Sequence, residues 1–356
     1  MSLRRTPLFD AHRRSGGKMV EFAGWEMPVQ YSSVLDEHHA VRTGAGVFDV
    51  SHMGVLVFEG PGALEDCNRL ISNDLARIED GQALYTTVLN ERGGIVDDVI
   101  CYRFSTEKIL VVANAANRQK DLDWFLSHGA KVRDDSDEWA LLALQGPKAL
   151  SLLQPLASID LDTIRFFRFA EAEVAGKPAI LARTGYTGED GFEIFCRPGD
   201  AEALWDALLE RGARPCGLGA RDSLRLEAAL SLYGNELSDD HTPYEAGLGW
   251  VVKLDKADFV GKEALEKQKA EGVKRKLVGF TLEDRGIPRG GYPVLSDGKP
   301  VGVVTSGTMS PTLKIPIGLA YVPPELAAKG STFQVEIRNK AVPAKVIETP
   351  FYKRSR

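Results

Sequence analysis

The sequence is short of several features that would have placed it quickly. It has four cysteines, Cys67, Cys101, Cys196 and Cys216, widely spread and with no C-x-x-C pair. That excludes a disulfide framework and predicts free thiols in a reducing, cytoplasmic setting. It has six histidines, and although His38 and His39 are neighbours, no H-E-x-x-H or Cys/His spacing occurs. No metal is expected. No apolar run approaches the roughly 18 residues that span a bilayer. The opening "MSLRRTPLFDAHRRSGGKMV" carries arginines but no following apolar stretch, and Asp10 and the scarcity of serine interrupt it. It is therefore expected to be neither a secretory signal nor a transit peptide. A basic excess is also missing: the net charge is −6 and the pI about 5.7, which argues against general nucleic-acid binding. There is no Walker sequence and no G-x-S-x-G elbow, and the "GLG" at Gly217–Gly219 does not open a dinucleotide fingerprint.

What is present is a globular composition, 44% hydrophobic and 26% charged over 356 residues, long enough for two or three domains. "VLVFEGPGAL" from Val55 and "LLALQGPKAL" from Leu141 resemble each other as apolar strand, Gly-Pro, then helix start, a sound strand-to-helix junction. They point to two related α+β units, unless two common junctions coincide. "KILVVANAANRQKDLDWFLSHG" reads as strand then helix. "PAILARTGYTGEDGFEIFC" reads as strand, loop, strand, and "DAEALWDALLERG" as a helix with Asp200 as N-cap and Gly212 as stop. "ARDSLRLEAALSLYG" reads as a helix closed by Gly234, and "GKEALEKQKAEGVKRK" as a helix and linker. From about Lys276 short strands alternate with turn residues, Asp297-Gly298 being a hairpin signal, so an all-β barrel is expected. The expected organisation is a discontinuous α+β domain over 1–50 and 140–250, a second over 51–139, a helix and linker over 251–275, and a C-terminal β-barrel over 276–356.

The stretch "GGIVDDVICY", Gly93–Tyr102, places two adjacent aspartates in an apolar strand. Successive strand side chains face opposite ways. Ile95, Asp97, Val99 and Cys101 therefore share one face, and Val96, Asp98, Ile100 and Tyr102 the other. The pair is no carboxylate dyad. Either both are partly exposed strand residues in surface ion pairs, or one lines an apolar pocket. In "RTGYTGEDGFEIF", Glu193 alternates with Phe192 and Ile194 and is placed to accept hydrogen bonds from a flat heteroaromatic ligand bearing N–H groups; a plain structural turn is the other reading. "CGLGARDSLRLEAAL" sets Arg221 near a helix N-terminus, where a cation opposes the dipole. It serves either a shared anion or a pairing with Asp222 or Glu227. "GVFDVSHMGVL" carries His52, read as structural, and Met53, an adaptable apolar surface for a ring. "VEFAGWEMPVQY", with Phe22, Trp25, Pro28 and Tyr31, reads as core, and "SVLDEHHAVR" as a solvated helix face.

Seven motifs in order, "KMVEFAGWEMPVQY", "HHAVRTGAGVFDVSHMG", "LNERGGIVDDVICY", "RTGYTGEDGFEIF", "CGLGARDSLRLEA", "SLYGNEL" and "TSGTMSPTL", resemble the aminomethyltransferase family of the glycine cleavage system, the T-proteins, over nearly the whole chain. The resemblance implies three domains in a cloverleaf around a central cavity for tetrahydrofolate. It implies that Asp98 is the catalytic carboxylate, against the folate near N10, with Asp97 structural. Ile100 and Tyr102 join Asp98 on the pocket wall, Tyr186 and Glu193 meet the pterin, Arg221 approaches the glutamate tail, and Tyr85 and Met53 complete the apolar cradle. The implied reaction takes an aminomethyl group from the dihydrolipoyl arm of H-protein. Ammonia leaves, and folate nitrogen attacks the iminium-like carbon to give 5,10-methylenetetrahydrofolate and the reduced arm. Two alternatives stay open: a folate-dependent demethylase of sulfonium or methylamine substrates, and a non-catalytic folate-binding protein of iron–sulfur maintenance. The second carries Lys-Gly-Cys-Tyr-x-Gly-Gln, where this chain has "SLYGNEL". One departure from the family is Lys314, after "SPTL", where many members have glycine.

Overall fold

A computed structural model of the chain describes residues 3–354; the outermost residues of the first and last expected domains lie outside the described residues. The backbone falls into two compact units that interleave along the sequence. The first comprises Met1–Asn68, Asp74–Tyr85 and Val99–Asp222, the second Arg69–Asn73, Thr86–Asp98 and Ser223–Arg356.

The chain opens with α1 (Phe9–Arg14), the hairpin β1 (Lys18–Phe22) and β2 (Trp25–Gln30), α2 (Val34–Thr43) and β3 (Gly46–Asp49). Then one topology occurs twice. Its first copy is β4 (Gly54–Glu59), α3 (Ala63–Asn68), β5 (Gln82–Leu89), β6 (Ile95–Ser105), β7 (Lys108–Ala113), α4 (Arg118–Ser127) and β8 (Val132–Asp134). Its second is β9 (Ala140–Gln145), α5 (Ala149–Leu153), β10 (Phe169–Val174), β11 (Lys177–Ala182), β12 (Gly191–Cys196), α6 (Ala201–Glu210) and β13 (Arg214–Pro215). The sheet orders are β5-β6-β7-β4-β8 and β10-β11-β12-β9-β3-β13. They match strand for strand once β3 is removed from the second. The two segments that resemble each other in sequence are β4–α3 and β9–α5. The sheets meet edge to edge in the first unit: Ala83 donates its N–H to the Phe167 carbonyl (2.9 Å) and Phe169 to that of Gly81 (2.9 Å).

The central strands of the six-stranded sheet are buried on both faces, β9 along its whole length. Leu142, Leu144, Leu181, Phe192, Ile194, Leu204 and Trp205 are sealed in one core under the six-stranded sheet, each such side chain worth about 1.5–3 kcal/mol of transfer free energy. Helix α7 (Leu218–Glu227) follows, then α8 (Lys262–Glu271) and a closed six-stranded barrel of β14 (Lys276–Leu282), β15 (Pro293–Ser296), β16 (Lys299–Met309), β17 (Pro316–Val322), β18 (Thr332–Ile337) and β19 (Lys340–Ile347). Asp297 and Gly298 both have positive φ, 51° and 73°, in the β15–β16 hairpin turn, as the Asp-Gly signal requires. The barrel interior is filled by Phe280, Val294, Val304, Phe333 and Val335. Lys314 adopts φ 57°, the left-handed region that glycine occupies at no steric cost.

Four local expectations are corrected. Helix α2 is not a solvated face: Glu37 and His38 are buried, and Arg42 forms an ion pair with Glu189 at 2.9 Å in which both side chains are only 4% exposed. Helix α7 ends at Glu227, well before Gly234, because Ala229 turns left-handed (φ 53°) and the Glu227 carboxylate is taken by Ser310 and Thr312. Asp200 stands at the start of α6 without capping it; its carboxylate pairs with Lys177 at 2.9 Å. Within the N-terminal aromatic stretch, Trp25 is buried but Phe22 is exposed. Among the described residues no helix is long and apolar enough to cross a membrane.

Candidate functional site

The strand bearing the two aspartates is set by its leading turn. Asn90 Oδ1 accepts the N–H groups of Arg92 and Gly94, both at 3.0 Å. Ile95 donates to the carbonyls of Ser238 (3.2 Å) and His241 (2.9 Å). Gly94 lies so close to that second segment that a Cβ would sit 1.8 Å from the Asp239 carbonyl oxygen. Over Ile95–Tyr102 of the strand that leaves this anchor, only Asp98 and Ile100 escape full burial. Asp97, Val99 and Cys101 are buried, while Asp98 and Ile100 are each half-buried. The two carboxylates therefore live in different environments, and Asp97 is fully enclosed.

Farther along β6, Tyr102 is sealed between aromatic rings, with Phe169 at 5.5 Å and Phe195 at 5.3 Å, both edge-on. Its hydroxyl donates to Glu193 Oε2 (3.3 Å) and lies 3.3 Å from the Thr184 hydroxyl, which itself donates to the same oxygen at 2.5 Å. Both hydroxyls converge on Oε2, so Oε1 of this half-buried carboxylate is left for a further donor. Burial, and then the charge of Glu193, drives the Tyr102 phenol well above its ordinary range, which keeps it a proton donor.

The loop that presents Thr184 and Tyr186 is pinned from below. Gln145, at the end of β9, donates to the Thr184 carbonyl (3.1 Å) and accepts from the Thr187 hydroxyl (3.0 Å). Arg42 donates to the Thr187 carbonyl (2.8 Å) as well as to Glu189. At Gly185 a Cβ would fall 2.0 Å from Gln145 Oε1, so a larger residue there would push the Gln145 amide off the loop it pins. Held this way, Tyr186 offers its ring to Arg221, whose guanidinium carbon stands 4.6 Å from the ring centroid, a cation–π contact. Burial pulls the Arg221 guanidinium below the usual arginine range, and Tyr186 and Glu193 partly offset it. Arg221 sits in the first turn of α7, which Glu37 supports by accepting the Gly217 N–H at 2.8 Å.

The remaining residues named from the sequence are placed as follows. Met53 is half-buried in the turn after β3, Tyr85 half-buried on β5, and Ile100 half-buried on β6. Hydrogen bonds and ring contacts thus join Tyr102 to Glu193 and Tyr186 to Arg221. Thr184 and Gln145 were missed. The signal for Thr184 lay in its own motif, two residues before Tyr186; Gln145 had none beyond its place before the repeated Gly-Pro.

Two family models match in tandem: the GCVT N-terminal domain over residues 8–256 and the glycine cleavage T-protein C-terminal barrel domain over residues 275–353. The chain belongs to the glycine cleavage T-protein family. An aminomethyltransferase of Rubrobacter xylanophilus is 56% identical over 100% of this chain and 96% of its own length. One of Bacillus mycoides is 53% identical over 100% of both. The crystal structure of glycine cleavage system aminomethyltransferase T from Bartonella henselae superposes with a TM-score of 0.93 at 37% identity, covering 99% of each chain. This T-protein is accordingly an enzyme, an aminomethyltransferase that uses tetrahydrofolate as its cosubstrate. The demethylase and iron–sulfur readings are not favoured.

Proposed function

We propose that this chain takes the aminomethyl group from the dihydrolipoyl arm of a lipoylated H-protein in the cytoplasm and delivers its carbon to tetrahydrofolate. Ammonia and the reduced arm are released. The observation that carries the proposal is the Glu193 carboxylate, which two hydroxyls hold through Oε2. An anionic acceptor fixed in this way suits the N–H edge of a reduced pterin. Arg221, oriented by Tyr186, suits the glutamate carboxylates, and the half-buried Met53, Tyr85 and Ile100 supply apolar or ring surface, while Tyr102, expected on the pocket wall, is sealed between Phe169 and Phe195 and acts through its hydrogen bond to Glu193. Asp98 is assigned as the catalytic carboxylate. Half-buried on its strand, a carboxylate there is less screened than in water, and so stabilises positive charge that grows on the transferred carbon as nitrogen departs. The protein's other contribution is to hold two reactants in register and limit the water that would hydrolyse the reactive carbon. The organisation proposed for the chain keeps the two α+β domains and the barrel at the boundaries expected from sequence.

The test is ammonia release from aminomethyl-loaded H-protein, with and without tetrahydrofolate. Release that requires tetrahydrofolate supports the reading; release at the same rate without it, or turnover of a methylated sulfonium compound in its place, removes it. In the same assay Asp98→Asn is expected to lower kcat about 100-fold or more while leaving the Kd for tetrahydrofolate nearly unchanged. Near-normal turnover would take Asp98 out of the chemistry.

A further inference from the structure

Helix α2 buries two charged side chains, Glu37 and Arg42, and each is bonded to the main chain of a segment that carries a candidate site residue. Glu37 accepts the Gly217 N–H on Oε2 (2.8 Å) and those of Tyr31 (2.6 Å) and Ser32 (2.9 Å) on Oε1. The Gly217 carbonyl in turn accepts the Arg221 N–H at 3.1 Å. Glu37 is thus linked through a single residue to the turn that carries the guanidinium. That turn is pressed onto the end of β2 and the start of α2. A Cβ at Gly217 would lie 2.4 Å from the Val29 carbonyl carbon, and one at Gly219 2.5 Å from Val34 Cγ2. The "GLG" that opens no dinucleotide fingerprint has this use instead: it lets α7 approach so closely.

Toward the other end of α2, one nitrogen of Arg42 donates to the Thr187 carbonyl (2.8 Å) and to Glu189 Oε1 (2.9 Å). Thr187 follows Tyr186 directly, and on the other side the Thr184 carbonyl is held by Gln145 at 3.1 Å. The backbone of Tyr186 is therefore fixed from both sides. Five residues separate Glu37 from Arg42, about 7.5 Å along a helix. Helix α2 is a strut, with the turn of Arg221 attached near one end and the loop of Tyr186 near the other. The two side chains then meet with the guanidinium carbon 4.6 Å from the ring centroid. A buried pair such as Arg42–Glu189 adds little net stability once its desolvation is counted, and the best-attested use of such a pair is to specify one arrangement.

We propose that Arg42 and Glu37 are positioning residues for Arg221, α2 setting the spacing at which Tyr186 holds the guanidinium ready for an anionic tail. The inference rests on the folate reading of this site and gives α2 a part in its tail selectivity. Without the strut, Arg221 must be ordered at the moment of binding, and only a ligand with a tail bears that cost.

The test measures direct binding of tetrahydrofolate, and of a tetrahydropterin lacking the glutamate tail, to wild type, Arg221→Ala, Arg42→Met and the double variant, with the melting temperature of each. Arg42→Met is expected to raise the Kd for tetrahydrofolate about three- to ten-fold, the cost of ordering one long side chain, and that for the tail-less ligand about two-fold at most. In the Arg221→Ala background it is expected to add nothing, because both changes remove one interaction. If Arg42→Met does not fold, Glu37→Gln is carried through the same comparison. Its amide oxygen keeps the N–H groups of Tyr31 and Ser32 while its NH2 is turned on the Gly217 N–H, and the same tail-selective loss is expected. Binding of both ligands as in wild type, equal losses for both, or a loss of the same factor with and without Arg221 would overturn the inference, whatever the melting temperature. An Arg221→Ala that weakens both ligands equally would also overturn it and leave the folate reading standing. A wild type that binds neither ligand would overturn the folate reading itself.

Discussion

At the scale of single residues, the site is assembled from side chains whose charge states are set by their neighbours. Arg221 illustrates how. A cation in the first turn of a helix is disfavoured by the dipole, and here burial disfavours it further. The Tyr186 ring at 4.6 Å and the nearby Glu193 charge return part of that loss, and an anionic ligand would return the rest. Arg221→Ala is therefore expected to weaken a polyglutamylated tetrahydrofolate by about ten-fold or more, as the loss of a charge-assisted contact does, and a tail-less tetrahydropterin by much less. Titrations of both ligands against the variant check this. Equal losses would mean that the guanidinium serves the ring. Strand geometry showed at this scale that Asp97 and Asp98 face opposite sides; which of the two is enclosed was not readable from the residues, and the fold encloses Asp97 and leaves Asp98 half-buried. The Tyr102 hydroxyl on Glu193 was not readable, because Tyr102 lies 91 residues away in sequence and nothing local announces the contact.

At the scale of elements, the reading succeeded where the signal was local and failed where a distant partner decided the outcome. The Asp-Gly hairpin, the Gly-Pro junctions and the barrel strands carry their causes within a few residues. Helix α2 does not. Its charges are buried because Glu37 satisfies the N–H groups of Tyr31, Ser32 and Gly217 and Arg42 meets Glu189, partners supplied from other parts of the fold. Strand β6 shows the same dependence at its start. Its first residue is bonded to Ser238 and His241, and Gly94 admits that segment only because it lacks a side chain. Gly94→Ala is expected to cost about 1–3 kcal/mol, as overpacking does, since a Cβ 1.8 Å from the Asp239 oxygen forces backbone apart. Urea unfolding followed by tryptophan fluorescence should give a lower midpoint with a shifted β6 and lower turnover. A midpoint equal to wild type would show that the segment yields freely, and the anchoring role of this turn would be lost.

At the scale of the whole molecule, acid stability gathers several buried groups into one measurable curve. Asp49 is enclosed, which by itself would raise its carboxyl. Hydrogen bonds from His12 (2.8 Å), the Ser51 N–H (2.9 Å) and the Thr6 hydroxyl (2.6 Å), together with the His12 charge, outweigh that and hold it at about 2. Its stabilisation is complete above the unfolded aspartate value near 4 and is lost as pH falls from there through about 2, a loss of about 2 kcal/mol. His52 acts in an adjoining window. Buried neutral at about 4, it is protonated more readily in the unfolded chain, near 6.5, so its stabilisation is present above that value and drains away as pH falls toward 4. His241, also lowered by burial and by Arg275, loses stabilisation in the same direction as pH falls below about 6.5. The unfolding free energy of wild type should therefore decline in two stages, from about 6.5 to 4 and again from about 4 to 2. In His52→Leu the first stage should shrink to the His241 share while the second is unchanged. Urea unfolding midpoints across about pH 2–8 for the two proteins check this, because their difference cancels every other carboxylate. Parallel curves would show that His52 is solvated enough to titrate normally and that its burial does not govern the first stage.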